Sequence, residues 1–223
     1  MDWKAWHDRY DDPASGYARR LATVRDRIRD ALDAAPAGPL RAVSLCAGQG
    51  RDLIPVLAEH PRGADVTARL VELDAENAEL ARALAAETGL EKVEVVTGDA
   101  SLTDYYLDLA PADLVLACGI YGNLRAADIL NTVAACAALT KTGGTVVWTR
   151  GREPEPEMVP RICAWYAQHG FEQLWLQDPD VQMCVGAHRF TGTPQPLEPG
   201  ASIFEFVGYD VLYPRRHGEQ LSR

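Results

Sequence analysis

The sequence predicts a doubly wound α/β fold built on a mostly parallel sheet, and three observations carry that prediction. Short apolar segments alternate with helical patterns between residues 40 and 150. Those segments are apolar at nearly every position, as strands covered on both faces must be. The first of them runs through a glycine turn straight into a helix, which is how a βαβ unit begins. At 223 residues the chain can bury one core and is short for two independent enzymatic domains. A single domain over 1–223 is expected, with an N-terminal helical extension over 1–38 that serves as a lid and the α/β core over 39–223.

In chain order, Tyr17, Leu21, Val24, Ile28 and Leu32 form a helical stripe, with Arg19, Arg20, Arg25, Asp26, Arg29 and Asp30 on the remaining surface. Asp12 before Pro13 predicts an N-cap and a first-turn proline, and Pro36, Gly38 and Pro39 stop the helix, giving bounds near 13 and 34. RAVSLC, VTARLVEL, VEVVTG, ADLVLACG and GGTVVWTR then read as strands. The helices between them are RDLIPVLAEH, the alanine-rich AENAELARALAAETG, and one through Ile129, Leu130, Val133, Ala134 and Ala137. GREPEPEMVP is too proline-rich to be helical at once, but Val159, Ile162, Cys163 and Tyr166 predict a helix ending at Gly170. FEQLWLQ and VQMCVGAHRF are expected strands joined by DPD, TGTPQPLEPG a loop, and SIFEFVGY one further strand. Right-handed crossovers place ligands outside the carboxyl ends of such strands, so function is sought in the loops that follow them.

Composition narrows the function. No stretch approaches the roughly 18 uninterrupted apolar residues that a membrane span needs, and the opening MDWKAWHDRYDD has no signal-peptide pattern, so a cytoplasmic protein is expected. Five scattered cysteines, Cys46, Cys118, Cys136, Cys163 and Cys184, include no C-x-x-C pair; buried reduced thiols and no bound metal are expected. With 32 acidic and 22 basic residues the formal charge is −10, a field that repels phosphate backbones and disfavours nucleic acid as partner.

The strongest motif is VSLCAGQGRD at 43–52, a strand, a small-residue turn and a helix. Gly48 and Gly50 let the backbone bend sharply and approach a ligand. A dinucleotide fingerprint would need glycine at position 53, which is Leu53, so an NAD site is disfavoured. The second strand ends in Val71, Glu72, Leu73 and Asp74, and a carboxylate there can accept both hydroxyls of a ribose. Asp74 has a sufficient task as cap of the next helix, which leaves Glu72 as the candidate. Gly98, Asp99 and Ala100 put another acid at the end of the third strand.

These residues, in this order, resemble the class I S-adenosylmethionine-dependent methyltransferases over the chain from about residue 40 onward. The glycine-rich first loop matches CAGQG at 46–50, the strand-two acid Glu72, the adenine-contacting acid Asp99, and the loop after strand four DLVLACGIYGN at 113–123. The stretches YDDPAS, GIYGN, GGTVVWTR and VGAHRF are also similar to a poorly characterised bacterial group of that family. The resemblance implies a Rossmann-like, seven-stranded sheet with an antiparallel strand near the C-terminus, and S-adenosyl-L-methionine as cofactor. It implies cofactor contacts at Cys46, Ala47, Gly48, Gly50, Glu72, Leu73, Asp99, Ala100, Cys118 and Gly119. Two positions depart from the family: Ser44 stands for the acid ahead of the first loop, and Cys46 for the first of three glycines. Both changes bear on how the methionine end of the cofactor is held.

Methyl transfer needs alignment and exclusion of water more than covalent help. Tyr121 occupies the aromatic position of the N-P-P-Y motif of amino-group methyltransferases, although Cys118, Gly119 and Ile120 replace the rest of it. Tyr121 and Arg150 are the expected catalytic pair, and Tyr10, Asn123 and Trp148 the expected substrate contacts, with Trp3, Trp6 and His7 joining Tyr10 in an N-terminal lid. If 181–190 is the antiparallel strand, His188 sits at the far end of the sheet from the cofactor; SIFEFVGY is the alternative for that strand. His60 and His169 at helix ends have a structural explanation. The expected function is methyl transfer to oxygen or nitrogen of a small-molecule acceptor. An RNA methyltransferase, a cofactor-binding regulatory protein without catalysis, and more distantly an aminopropyl transferase are the rivals; a homodimer is left open.

Overall fold

The computed structural model describes residues 10–214. Trp3, Trp6 and His7 lie outside the described residues. The first helix, α1, spans Gly16–Ala34 and is capped by Ser15, whose hydroxyl accepts from Ala18 N at 3.0 Å. The expected cap Asp12 instead closes a turn two residues on, its Oδ1 accepting from Ala14 N, so the helix begins one turn later than Asp12-Pro13 suggests. Its buried stripe is Arg20, Val24, Ile28 and Leu32, which moves Arg20 from the expected surface to the interior.

The strands are β1 (Leu40–Leu45), β2 (Val66–Glu72), β3 (Val93–Thr97), β4 (Ala112–Ala117), β5 (Thr140–Gly151), β6 (Phe171–Leu176) and β7 (Met183–Phe190). The helices between them are α2 (Leu53–Glu59), α3 (Ala75–Glu87), α4 (Ala126–Leu139) and α5 (Met158–Gln168). The sheet order is β3-β2-β1-β4-β5-β7-β6, parallel through β5, with β7 antiparallel to both β5 and β6. Alternate side chains feed two cores, as the pleat requires. Val43, Leu45, Val146 and Trp148 pack with α4 and α5, while Leu40, Ala42 and Val147 pack with α1, α2 and α3. Asp74 caps α3 as expected, accepting from Asn77 N at 2.9 Å.

SIFEFVGY is not a sheet strand. The place beside β5 is taken by β7, and residues 201–207 cross instead over the loop that follows β3, through the single antiparallel bridge Leu102–Ser202. Ile203 N donates to Ser101 O, and Thr103 N to Ala201 O. Ile203 and Phe204 are buried there, and a short helical turn at Tyr209–Leu212 follows. Among the described residues no helix is long and apolar enough to cross a membrane.

Candidate active site

The carboxyl ends of β1, β2 and β3 are sewn together by one residue. Glu72 accepts from Gly48 N through Oε2 at 2.7 Å and from Asp74 N through Oε1 at 2.9 Å, while Gly98 N donates to the Glu72 carbonyl at 2.9 Å. Burial raises the Glu72 carboxyl above its usual range, against the lowering effect of these amide donors. The glycine loop it holds has Cys46, Gly48 and Gly50 all in the left-handed region, at φ 49°, 56° and 66°. Cys46 thus adopts the backbone expected of the glycine it replaces. A Cβ on Gly50 would meet Ile54 Cδ1 at 2.5 Å, so that glycine is required by helix–strand packing as well as by its φ.

Above this edge lies a cavity of about 370 Å³. Cys46, Ala47, Gly48, Glu72, Leu73, Asp99, Ala100, Cys118 and Gly119 all line it, and so does Tyr10. Gly50, expected as a cofactor contact, is not among the lining residues; the side of it where a Cβ would stand faces Ile54 and Leu70. Leu73 is 69% exposed, an apolar side chain standing at the cavity wall beside a carboxylate. Asp99 closes a tight turn, its Oδ1 accepting from Ser101 N at 2.9 Å. Gly119, at φ 80°, donates its N–H to Thr149 Oγ1 at 2.8 Å and has open space where a Cβ would be. Burial pushes the Cys46 and Cys118 thiols up, so neither is a thiolate at neutral pH.

Besides Gly50, four expected site residues are not among those that line the cavity. Tyr121 is fully buried, its hydroxyl 2.7 Å from that of Tyr166, and Trp148 stacks on Tyr166 and donates Nε1–H to His188 Nδ1 at 3.0 Å. Asn123 donates to Gly119 O and accepts from Tyr209 N, which ties the loop after β4 to the C-terminal segment. Arg150 is 2% exposed; its Nη2 donates to Glu155 and to the Tyr213 hydroxyl, and its Nε and Nη1 are buried without partners. Side chains alternate along β5, so Thr149 faces the cavity while Trp148 and Arg150 face the opposite core. His188 pairs with Val146, five residues in register from the Gly151–Met183 pair at the β5 carboxyl end, and is remote from the cavity as expected.

Sequence reasoning missed Arg20, Gln49, Asp52, Asn77, Ile120, Thr149, Phe204 and Phe206, all of which line the cavity. Arg20 was legible in part, since it precedes Val24, Ile28 and Leu32 at steps of four. Its guanidinium donates to the Tyr10 hydroxyl and lies over the Tyr10 and Tyr17 rings at 5.6 and 5.5 Å. The N-terminal segment is also tied down by Arg51 Nη1 to Asp11 at 2.6 Å, with Arg51 Nε donating to Gln49 and Gln49 to Asn77. Asp52 caps α2 through Oδ1, and burial raises its carboxyl.

The fold has many solved counterparts. A 1,6-didemethyltoxoflavin-N1-methyltransferase from Burkholderia thailandensis, solved with 1,6-didemethyltoxoflavin and S-adenosylhomocysteine, aligns with TM-score 0.63 and 17% identity over 85% of this chain and 84% of that one. An O-methyltransferase family 2 protein from Planctomyces limnophilus, solved with apigenin, aligns with TM-score 0.57 and 16% identity over 77% of this chain, which spans 58% of that longer one. The fibrillarin pre-rRNA processing protein of Methanococcus jannaschii aligns with TM-score 0.56 and 14% identity over 70% and 68%. No curated protein matches the chain. The model of a family described as "Putative methyltransferase" matches residues 15–176, well over half of the 223. The chain belongs to that family and is a class I S-adenosylmethionine-dependent methyltransferase.

Proposed function

We propose that the protein transfers a methyl group to a nitrogen or oxygen atom of a small-molecule acceptor bound at the β4 and β5 side of the cavity. The observation that carries this reading is the shape of the cavity, a cleft of about 370 Å³ whose lining includes the glycine loop and, from the N- and C-terminal segments, Tyr10 and Phe204 with Phe206. A cleft of that size suits a small acceptor better than a polynucleotide. The net charge of −10 favours the same choice. The fold neighbours do not choose between them, since they include proteins solved with apigenin and with 1,6-didemethyltoxoflavin and also a pre-rRNA processing protein.

The lining fits S-adenosylmethionine, which supplies a methyl group already activated on a sulfonium. Each Glu72 oxygen accepts one backbone N–H and keeps acceptor capacity for one ribose hydroxyl, in an orientation set by those amides. Leu73 and Ala100 offer apolar surface to an adenine ring, and Asp99, with Oδ1 on Ser101, has Oδ2 for an exocyclic amine. Gly119 leaves the β4 end open where a side chain would intrude. Tyr10, Phe204 and Phe206 add aromatic surface to the cavity wall.

The test is incubation with methyl-labelled cofactor and either a metabolite extract or total RNA. Label in a small molecule is expected. Label in RNA alone overturns the proposal, and cofactor binding without any transfer identifies a regulatory protein instead.

A further inference from the structure

The cavity is charged at both ends, with a different pattern at each. Toward β3 its lining carries the carboxylates Glu72 and Asp99, which add to the effect of burial in raising the Cys46 thiol. Toward β4 and β5 it carries a guanidinium and a carboxylate, Arg20 and Asp52, which act on each other and both on Cys118. Arg20 is 8% exposed, and its plane is fixed by the Tyr10 hydroxyl and by the two tyrosine rings beneath it. Asp52 is anchored through Oδ1 to Leu53 N at 2.8 Å. A fixed carboxylate and a fixed guanidinium on one cavity wall complement an α-amino acid, whose ammonium and carboxylate need opposite partners at short range.

The sheet order decides which part of a ligand arrives there. Asp99 after β3, Glu72 at the end of β2, the glycine loop after β1 and Cys118 after β4 stand in one row. A nucleoside held at Asp99 and Glu72 therefore extends its 5′ substituent over the glycine loop toward Arg20 and Asp52. Ser44 plays no part in this, being buried within β1 between Leu70 and Leu116 and absent from the cavity wall. We propose that Asp52 and Arg20 form the cradle for the amino-acid end of the cofactor, Asp52 taking the ammonium and Arg20 the carboxylate, from α2 and α1 rather than from β1. The proposal rests on the cofactor reading given above and adds the two residues that decide affinity for the zwitterion.

Calorimetry on the full chain with S-adenosylhomocysteine and with 5′-methylthioadenosine tests it, because the second ligand keeps the nucleoside and sulfur and lacks the amino-acid end. The wild type is expected to bind S-adenosylhomocysteine more tightly. Asp52→Asn keeps an oxygen for the α2 cap and should weaken S-adenosylhomocysteine about tenfold or more while leaving 5′-methylthioadenosine within about twofold. Arg20→Met should do the same; should that buried site fail to fold, Asp52→Asn decides alone, with 5′-methylthioadenosine binding as its control for an intact pocket. Unchanged S-adenosylhomocysteine affinity in Asp52→Asn, or equal weakening of both ligands, overturns the cradle. A wild type that binds neither ligand overturns the cofactor reading itself, and the cradle with it.

Discussion

Glu72 shows how a carboxylate proposed to hold the cofactor can also tie the loops of the sheet edge together. In sequence it has no task at a strand end, yet in the folded protein each of its carboxylate oxygens holds a backbone amide, one in the loop after β1 and one in the loop after its own strand. Glu72→Gln turns an amide donor toward Gly48 N or Asp74 N, so it should weaken S-adenosylhomocysteine by tenfold or more and cost about 1–3 kcal/mol of stability. Asp74→Ala should cost about 1 kcal/mol as a lost cap and leave affinity nearly unchanged. Paired calorimetry and denaturant titration separate the two, and equal losses of affinity would show that the cap shapes the site as much as Glu72 does. His188 carries a different consequence. Burial lowers its imidazole from 6.5 to about 4, so between those values the unfolded chain binds a proton that the folded one does not. Stability then falls as pH drops through that window, by about 2 kcal/mol from pH 7 to pH 5. His188→Gln should lack this component, visible as a flatter pH dependence of the urea midpoint than in the wild type, with Glu72 and Asp52 common to both.

At the scale of elements, the C-terminal segment is the part that sequence patterning misjudged. SIFEFVGY has the β-branched and aromatic content of a strand, but strand propensity describes fitness for a pleated surface and not the presence of a vacant sheet neighbour. With β7 between β5 and β6, the segment spends its apolar residues, Ile203 and Phe204, on the loops above the sheet. Asn123 is its anchor: the side chain joins Gly119 O to Tyr209 N, and the backbone carbonyl accepts from Val207 and Gly208. Asn123→Ala removes the two side-chain bonds and should free the turn at Tyr209–Leu212 at a cost of about 1–3 kcal/mol. Hydrogen exchange should report lost protection at Tyr209–Tyr213 with β1 and β4 unchanged; intact protection would assign the anchoring to Arg150 and Glu155, which meet the Tyr213 hydroxyl.

For the whole molecule, the cavity belongs to a methyltransferase and not to a dinucleotide enzyme, and the difference lies in α2. Leu53, where a third glycine would stand, is fully buried at the start of that helix. S-adenosylhomocysteine at a hundredfold excess over its dissociation constant should therefore stabilise the fold by about 2.7 kcal/mol, whereas NADH should give no shift in melting temperature. The doubly wound class, the strands through β5, the glycine loop, and the acids Glu72 and Asp99 were all legible in the sequence. Each is a local matter of apolar runs, small residues and spacing along one βαβ unit, and crossover handedness brings the loops to one edge. Tertiary structure alone decided which face of β5 meets the cavity, so Thr149 lines it while Trp148 and Arg150, its neighbours in sequence, are buried behind. It also decided that Arg20 reaches inward from α1 and that Phe204 and Phe206 return to the cavity wall from the far end of the chain. Such contacts join elements far apart in the sequence, and no periodicity within a single segment encodes the partner that a side chain will meet across the fold.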